Sequence, residues 1–139
     1  RLDRDSEGLI LLTNDGELTH RLLHPRYELE KEYRVLVIPA PTPEQLHQLR
    51  EGVVIEGRRT LPAGVAVEQR VDDGAWLRVT LREGRKRQIR LMCQAVGLKV
   101  RRLIRVRMGP LRLGSLPPGK FRPLNTEEIT QLRQAVGLA

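Results

Sequence analysis

The stretch from Val100 to Met108 alternates residue by residue, with Ile104, Val106 and Met108 on one side and Leu103, Arg105 and Arg107 on the other. Period-two patterning specifies a β-strand. A strand with one apolar and one cationic face belongs in a sheet whose second side meets a polyanion. Leu29 to Ile38 alternates in the same way, placing Tyr33, Val35 and Val37 on one face and Arg34, Leu36 and Ile38 on the other. The prolines at 39 and 41 end this strand, since proline cannot donate to a ladder. Val53 to Glu56, Gly64 to Gln69 and Ala75 to Leu81 read as three more strands, separated by turns at Gly57-Arg58-Arg59 and Asp72-Asp73-Gly74. Short turns between strands favour antiparallel pairing.

Four helices are expected beside them. Leu18, Leu22 and Leu23 give the first its apolar side, and Pro25 stops it. Thr42-Pro43-Glu44-Gln45 combines an N-cap, a proline at the first helical position and a capping-box glutamine, opening a helix that stops at Gly52. Between Lys86 and Val96, Ile89, Met92, Cys93 and Val96 recur at helical spacing, and Gly97 closes the element in the left-handed conformation. Asn125-Thr126-Glu127-Glu128 caps a last helix that turns Ile129, Leu132 and Val136 inward. A mostly antiparallel mixed sheet with helices packed on it is an α+β architecture, and 139 residues suffice for one such domain without disulfides or metal. The lone Cys93 lies on the apolar stripe of its helix and reads as a buried structural thiol.

Charge is divided unevenly along the chain. Residues 1–32 hold 5 Lys/Arg against 8 Asp/Glu, whereas residues 76–139 hold 15 against 3. A field this one-sided suits nucleic acid. Arg85, Lys86 and Arg87 follow Glu83-Gly84 at a helix entrance, where backbone amides and cations together receive phosphate. Arg105 and Arg107 on the alternating strand are expected to extend that groove. No apolar run is long enough to cross a bilayer and no signal-peptide pattern is present, so a cytoplasmic location without membrane partners is expected. His20 and His24 sit one helical turn apart, but no third ligand accompanies them, and no metal site is expected.

Chemistry is concentrated at the start of the chain. Arg1-Leu2-Asp3-Arg4-Asp5-Ser6-Glu7-Gly8 reads as a polar loop leading into a short buried strand, Leu9 to Leu12, that ends at Asn14-Asp15-Gly16. Loops held by rigid strands are where reactive side chains are displayed. Arg1 and Arg4 flank Asp3 and Asp5 and favour their carboxylate forms. Turn formation and capping are the alternative roles for these acids.

Arg1-Leu2-Asp3 with Asp5-Ser6-Glu7-Gly8-Leu9 and Leu12-Thr13-Asn14-Asp15-Gly16 resembles the catalytic-aspartate motif of the ribosomal RNA pseudouridine synthases. Lys31-Glu32-Tyr33-Arg34-Val35, Glu83-Gly84-Arg85-Lys86-Arg87-Gln88-Ile89-Arg90 and Arg102-Leu103-Ile104-Arg105-Val106-Arg107-Met108-Gly109 follow in the family's order, and together they resemble the branch acting on large-subunit RNA. The resemblance implies isomerisation of a uridine in ribosomal RNA by Asp3, with no metal and no organic cofactor. It also implies that Tyr33 stacks on the target base, that Arg90 pairs with the Asp3 carboxylate, and that Leu103 lines the base pocket. Relative to that family, residues 1–139 form a catalytic domain lacking its N-terminal part and any separate RNA-binding domain. Mobile residues 1–5, weak activity and a strand edge open to self-association are therefore expected. Two rivals are weighed against this reading. A glycoside hydrolase would need Asp3 or Asp5 as a protonated acid beside two arginines, which those arginines oppose. A non-catalytic RNA-binding module would be expected to carry more stacking platforms than Tyr27, Tyr33, Trp76 and Phe121 supply.

Overall fold

Strand β2 (Lys31–Ile38) lies at the centre of the sheet because both of its faces carry apolar side chains and both of its edges are paired. On one edge runs β6 (Gly74–Leu81), and beyond it β5 (Gly64–Val71), both antiparallel to their neighbours. On the other edge runs β7 (Lys99–Met108), also antiparallel, flanked on its outer side by β1 (Glu7–Gly8) and β8 (Leu111–Arg112). The order is β1-β7-β2-β6-β5, with β1 parallel to β7. A separate two-stranded ribbon pairs β3 (Val54–Ile55) with β4 (Arg58–Arg59). Four helices complete the α+β fold: α1 (Gly16–Leu23), α2 (Pro43–Glu51), α3 (Gln88–Ala95) and α4 (Thr126–Ala135). These elements come from a computed structural model that describes residues 1–27 and 29–138.

Parity along the strands decides which sheet face is dry. Val35, Val37, Leu77, Val79, Leu81 and Leu103 point to one side, where Leu46 and Leu49 of α2 and Ile89, Met92 and Cys93 of α3 close over them as the main core. A second core joins Leu18, Leu111, Leu132, Val136 and Leu138. Both capping boxes form with their two reciprocal bonds, Thr42 with Gln45 and Asn125 with Glu128. Gly97 and Gly137 adopt φ of 89° and 76° and end α3 and α4 with matching 6→1 bonds, Leu98 N–H to Cys93 O and Leu138 N–H to Arg133 O, both 2.8 Å.

Several local expectations are corrected. The strand expected at Leu9 to Leu12 is displaced to Glu7–Gly8, leaving Ile10 and Leu12 exposed at 49% and 82%. Gly8 explains the shift: at φ 107° it lies so close to β7 that a Cβ would sit 2.2 Å from the Arg105 carbonyl oxygen, so the ladder forms where the chain lacks a side chain. Arg58 and Arg59 belong to a strand rather than a turn, because Glu56 and Gly57 both take positive φ, 50° and 77°, and reverse the chain in two residues. Helix α3 starts at Gln88, two residues late, since Arg87 is left-handed at φ 53°. Ile129 is exposed on α4, whereas Leu132 and Val136 are buried.

Burial pushes the Cys93 thiol up to about 12, out of reach of the thiolate form near neutrality. Native protein at pH 8 is expected to react with a thiol reagent at least ~10-fold more slowly than protein unfolded in urea. Equal rates in a stopped-flow labelling experiment would mean that α3 opens readily.

Candidate active site

The loop from Arg1 to Ser6 is fixed from two directions. From below, β7 holds its end: the Leu9 amide donates to the Arg105 carbonyl at 2.8 Å, and Glu7 and Gly8 stand in parallel register with Ile104 and Arg105. From above, α3 holds its middle: Arg87 makes a bidentate pair with the Asp5 carboxylate at 3.0 and 2.9 Å, and Arg90 donates from Nη2 to the Asp5 carbonyl at 2.6 Å. Inside the loop the Ser6 amide closes a turn onto the Asp3 carbonyl at 3.0 Å. Asp3 is thereby presented half-buried between sheet and helix, its carboxylate 4.0 Å from Arg87 Nη1.

Tyr33 stands directly across from Arg105 on the face shared with Val35, half-buried and within range of the Asp3 charge. Burial raises its phenol above the ordinary value; the Arg105 guanidinium pulls the other way, and the nearby Asp3 charge adds to the rise. Leu103, opposite Val35, is buried in the main core. Lys31 lies on the same face two residues before Tyr33, and its ammonium is held below its ordinary range by burial first and by Arg105 second.

Arg90 does not pair with Asp3. Its Nε lies 3.4 Å from Asp5 Oδ2, and Asp5 therefore receives both helix arginines. The consequence is chemical: the hydrogen bonds from Arg87 hold the Asp5 carboxyl down at about 2. Asp5 cannot serve as a proton donor near neutrality, so it cannot be the general acid of a glycoside hydrolase pair.

The remaining basic residues separate into internal and outward-facing groups. Arg105 is 5% exposed and donates from Nε to the Leu9 carbonyl at 2.8 Å and from Nη1 to the Arg1 carbonyl at 3.2 Å. Arg107 turns to the other face of the sheet and is engaged by Glu30 at 2.5 Å and Glu32 at 3.6 Å. The alternation of β7 fails at Val106, an extra residue between the pairs Glu32–Arg107 and Tyr33–Arg105, so the two arginines expected to share one groove lie on opposite sides. Arg85 props the β3–β4 ribbon, donating to the carbonyls of Ile55 at 2.5 Å and Arg58 at 3.1 Å. Lys86 is exposed, and with Glu56, Arg58 and Arg85 it lines a cavity of about 430 Å³ at the entrance of α3. Sequence reasoning passed over Asp5 as an anchor and Lys31 as a neighbour of Tyr33; the two-residue spacing of Lys31 and Tyr33 on one strand was the available signal.

A family model described as RNA pseudouridylate synthase matches residues 1–95. An uncharacterised RNA pseudouridine synthase of Aquifex aeolicus is 43% identical over 138 residues, covering 99% of this chain and 55% of that protein. Ribosomal large subunit pseudouridine synthase E of Xanthomonas campestris is 44% identical, covering 88% of this chain and 73% of that protein. A crystal structure of a pseudouridylate synthase superposes with a TM-score of 0.84 at 36% identity over 94% of this chain and 56% of its own. The chain thus spans about half the length of several curated relatives that it matches. No helix among the described residues is long and apolar enough to cross a membrane. On the family match, the identity to these relatives and the shared fold, the chain belongs to the RNA pseudouridylate synthase family.

Proposed function

We propose that this chain carries the reacting centre of an enzyme that isomerises a uridine of ribosomal RNA, of large-subunit type, to pseudouridine. The observation that carries the reading is Asp3 held 4.0 Å from Arg87 and near enough to Tyr33 for its charge to act on that phenol, with Asp5, two residues on, tied up by Arg87 and Arg90. In this reaction the bond from C1′ to N1 breaks, the uracil turns, and a bond from C1′ to C5 forms. The proton lost from C5 is balanced by one gained at N1, so no oxidant, reductant or group donor enters. Positive charge developing at the sugar carbon is met by the Asp3 carboxylate, which attacks or stabilises it. Tyr33 offers its ring to the base, which must leave its stack to arrive. Leu103 closes the floor of that pocket, and Arg90 positions the Asp3 loop through Asp5.

RNA reaches the site over the entrance of α3, where Lys86 and Arg58 are exposed around the cavity. Lys86→Ala is expected to flatten the plot of log affinity against log salt by about one unit, whereas Arg107→Ala leaves the slope unchanged because Glu30 and Glu32 already neutralise it. Titrations of a ribosomal RNA fragment between low and physiological salt measure both slopes.

The decisive assay incubates the chain with large-subunit ribosomal RNA transcripts and maps pseudouridine by nucleoside mass spectrometry. Site-specific conversion supports the reading. Tight, saltable binding without conversion by this chain or by a longer protein containing it would favour a non-catalytic RNA-binding module.

A further inference from the structure

Arg105 is a buried arginine with no carboxylate within 4.0 Å among the described residues, and its Nη2 has no hydrogen-bond partner. A fixed charge in such a place is costly. Its bonds account for its retention. The backbone carbonyl of Arg105 receives the Leu9 amide, its Nε donates to the Leu9 carbonyl, and its Nη1 donates to the Arg1 carbonyl. One residue therefore grips both ends of the nine-residue segment that contains Asp3. Gly8, whose backbone lies against Arg105 too closely for any Cβ, admits the segment to that grip.

We infer that Arg105 is a positioning residue of the reaction: its guanidinium fork spans the carbonyls of Arg1 and Leu9 and so sets the height of Asp3 over the sheet beside Tyr33. This rests on Asp3 being the reacting group. Phosphate binding is the competing role, and the burial of the guanidinium opposes it. Lysine cannot substitute, because a single ammonium lacks the planar fork that reaches two acceptors at once. A misplacement of about 1 Å at a reacting group costs roughly 10²-fold in rate.

The test is Arg105→Lys, made in this chain and in a longer protein that contains it. At saturating ribosomal RNA, kcat is expected to fall about 100-fold while KM and the salt slope of binding stay within about twofold of the parent. In Arg105→Ala, added ethylguanidinium is expected to restore part of the lost rate. Wild-type kcat in Arg105→Lys overturns the proposal, and so does a salt slope flattened by about one unit with kcat unchanged, which assigns a phosphate contact. Amide hydrogen exchange gives a readout independent of turnover: Ser6 and Leu9 should exchange faster in Arg105→Lys while β6 keeps its protection. Uniformly faster exchange would mean a general structural role and refute positioning. If the parent protein itself converts no uridine, the isomerase reading fails, and the exchange pattern still decides whether Arg105 holds the loop.

Discussion

Asp3→Asn is expected to remove uridine isomerisation, by about 10³-fold or more, while RNA affinity changes by less than about threefold. Asparagine keeps the shape of the side chain and loses the charge that, in the proposed mechanism, meets the developing cation at C1′. Little else depends on that carboxylate. Its one ion pair within 4.0 Å, among the described residues, is the long contact to Arg87, whose strong bonds go to Asp5. The loop should therefore keep its course, and melting temperature and RNA titration serve as controls beside single-turnover kinetics. Retained turnover would move the chemistry to another residue. Asp5 is poorly placed to inherit it, since both of its oxygens are already engaged by Arg87 and Nε of Arg90 lies close by.

Leu77→Ala is expected to produce the largest loss of stability among single core truncations. Leu77 is fully buried in β6, between Val35 and Val67 on the neighbouring strands and under the helices α2 and α3. Deleting three buried carbons costs the transfer energy of the lost surface together with that of the cavity left behind, about 3 kcal/mol with a range of roughly 2–5. For a domain of this size that lowers the melting temperature by roughly 10 °C, and it takes a large share of a typical total of about 5–15 kcal/mol. Urea unfolding should show a lower midpoint at an unchanged slope. Leu12→Ala is the control, since Leu12 is exposed and surface changes of this kind stay within about 0.5 kcal/mol. A loss at Leu77 no larger than at Leu12 would contradict the assignment of the main core.

Short-range physics made much of this molecule legible. Alternation separated the two faces of β2, and helical spacing identified Ile89, Met92 and Cys93 as the buried stripe of α3. Both capping boxes could be read because the four residues that form each are adjacent in sequence. Long-range pairings were not legible. Nothing local says that Gly8 will lie beside Arg105, nearly a hundred residues away, because β1 is only two residues long and its partner is chosen by the fit of two backbones. The site followed the same division. Asp3 and Tyr33 could be singled out within their own segments, whereas the preference of Arg90 for Asp5 depends on the left-handed turn at Arg87, which no residue preference announces.

Val106 matters through its presence as one residue too many. Because it is bulged out of the ladder, Arg105 and Arg107 look in opposite directions, the first across from Tyr33 and the second toward Glu30 and Glu32. If residues 105, 106 and 107 were instead all paired in regular register, Arg105 and Arg107 would share one face, a second guanidinium would be driven toward Tyr33, and Glu32 would lose its cation. The bulge at 106 therefore sorts like charges, sending one guanidinium to each side of the sheet.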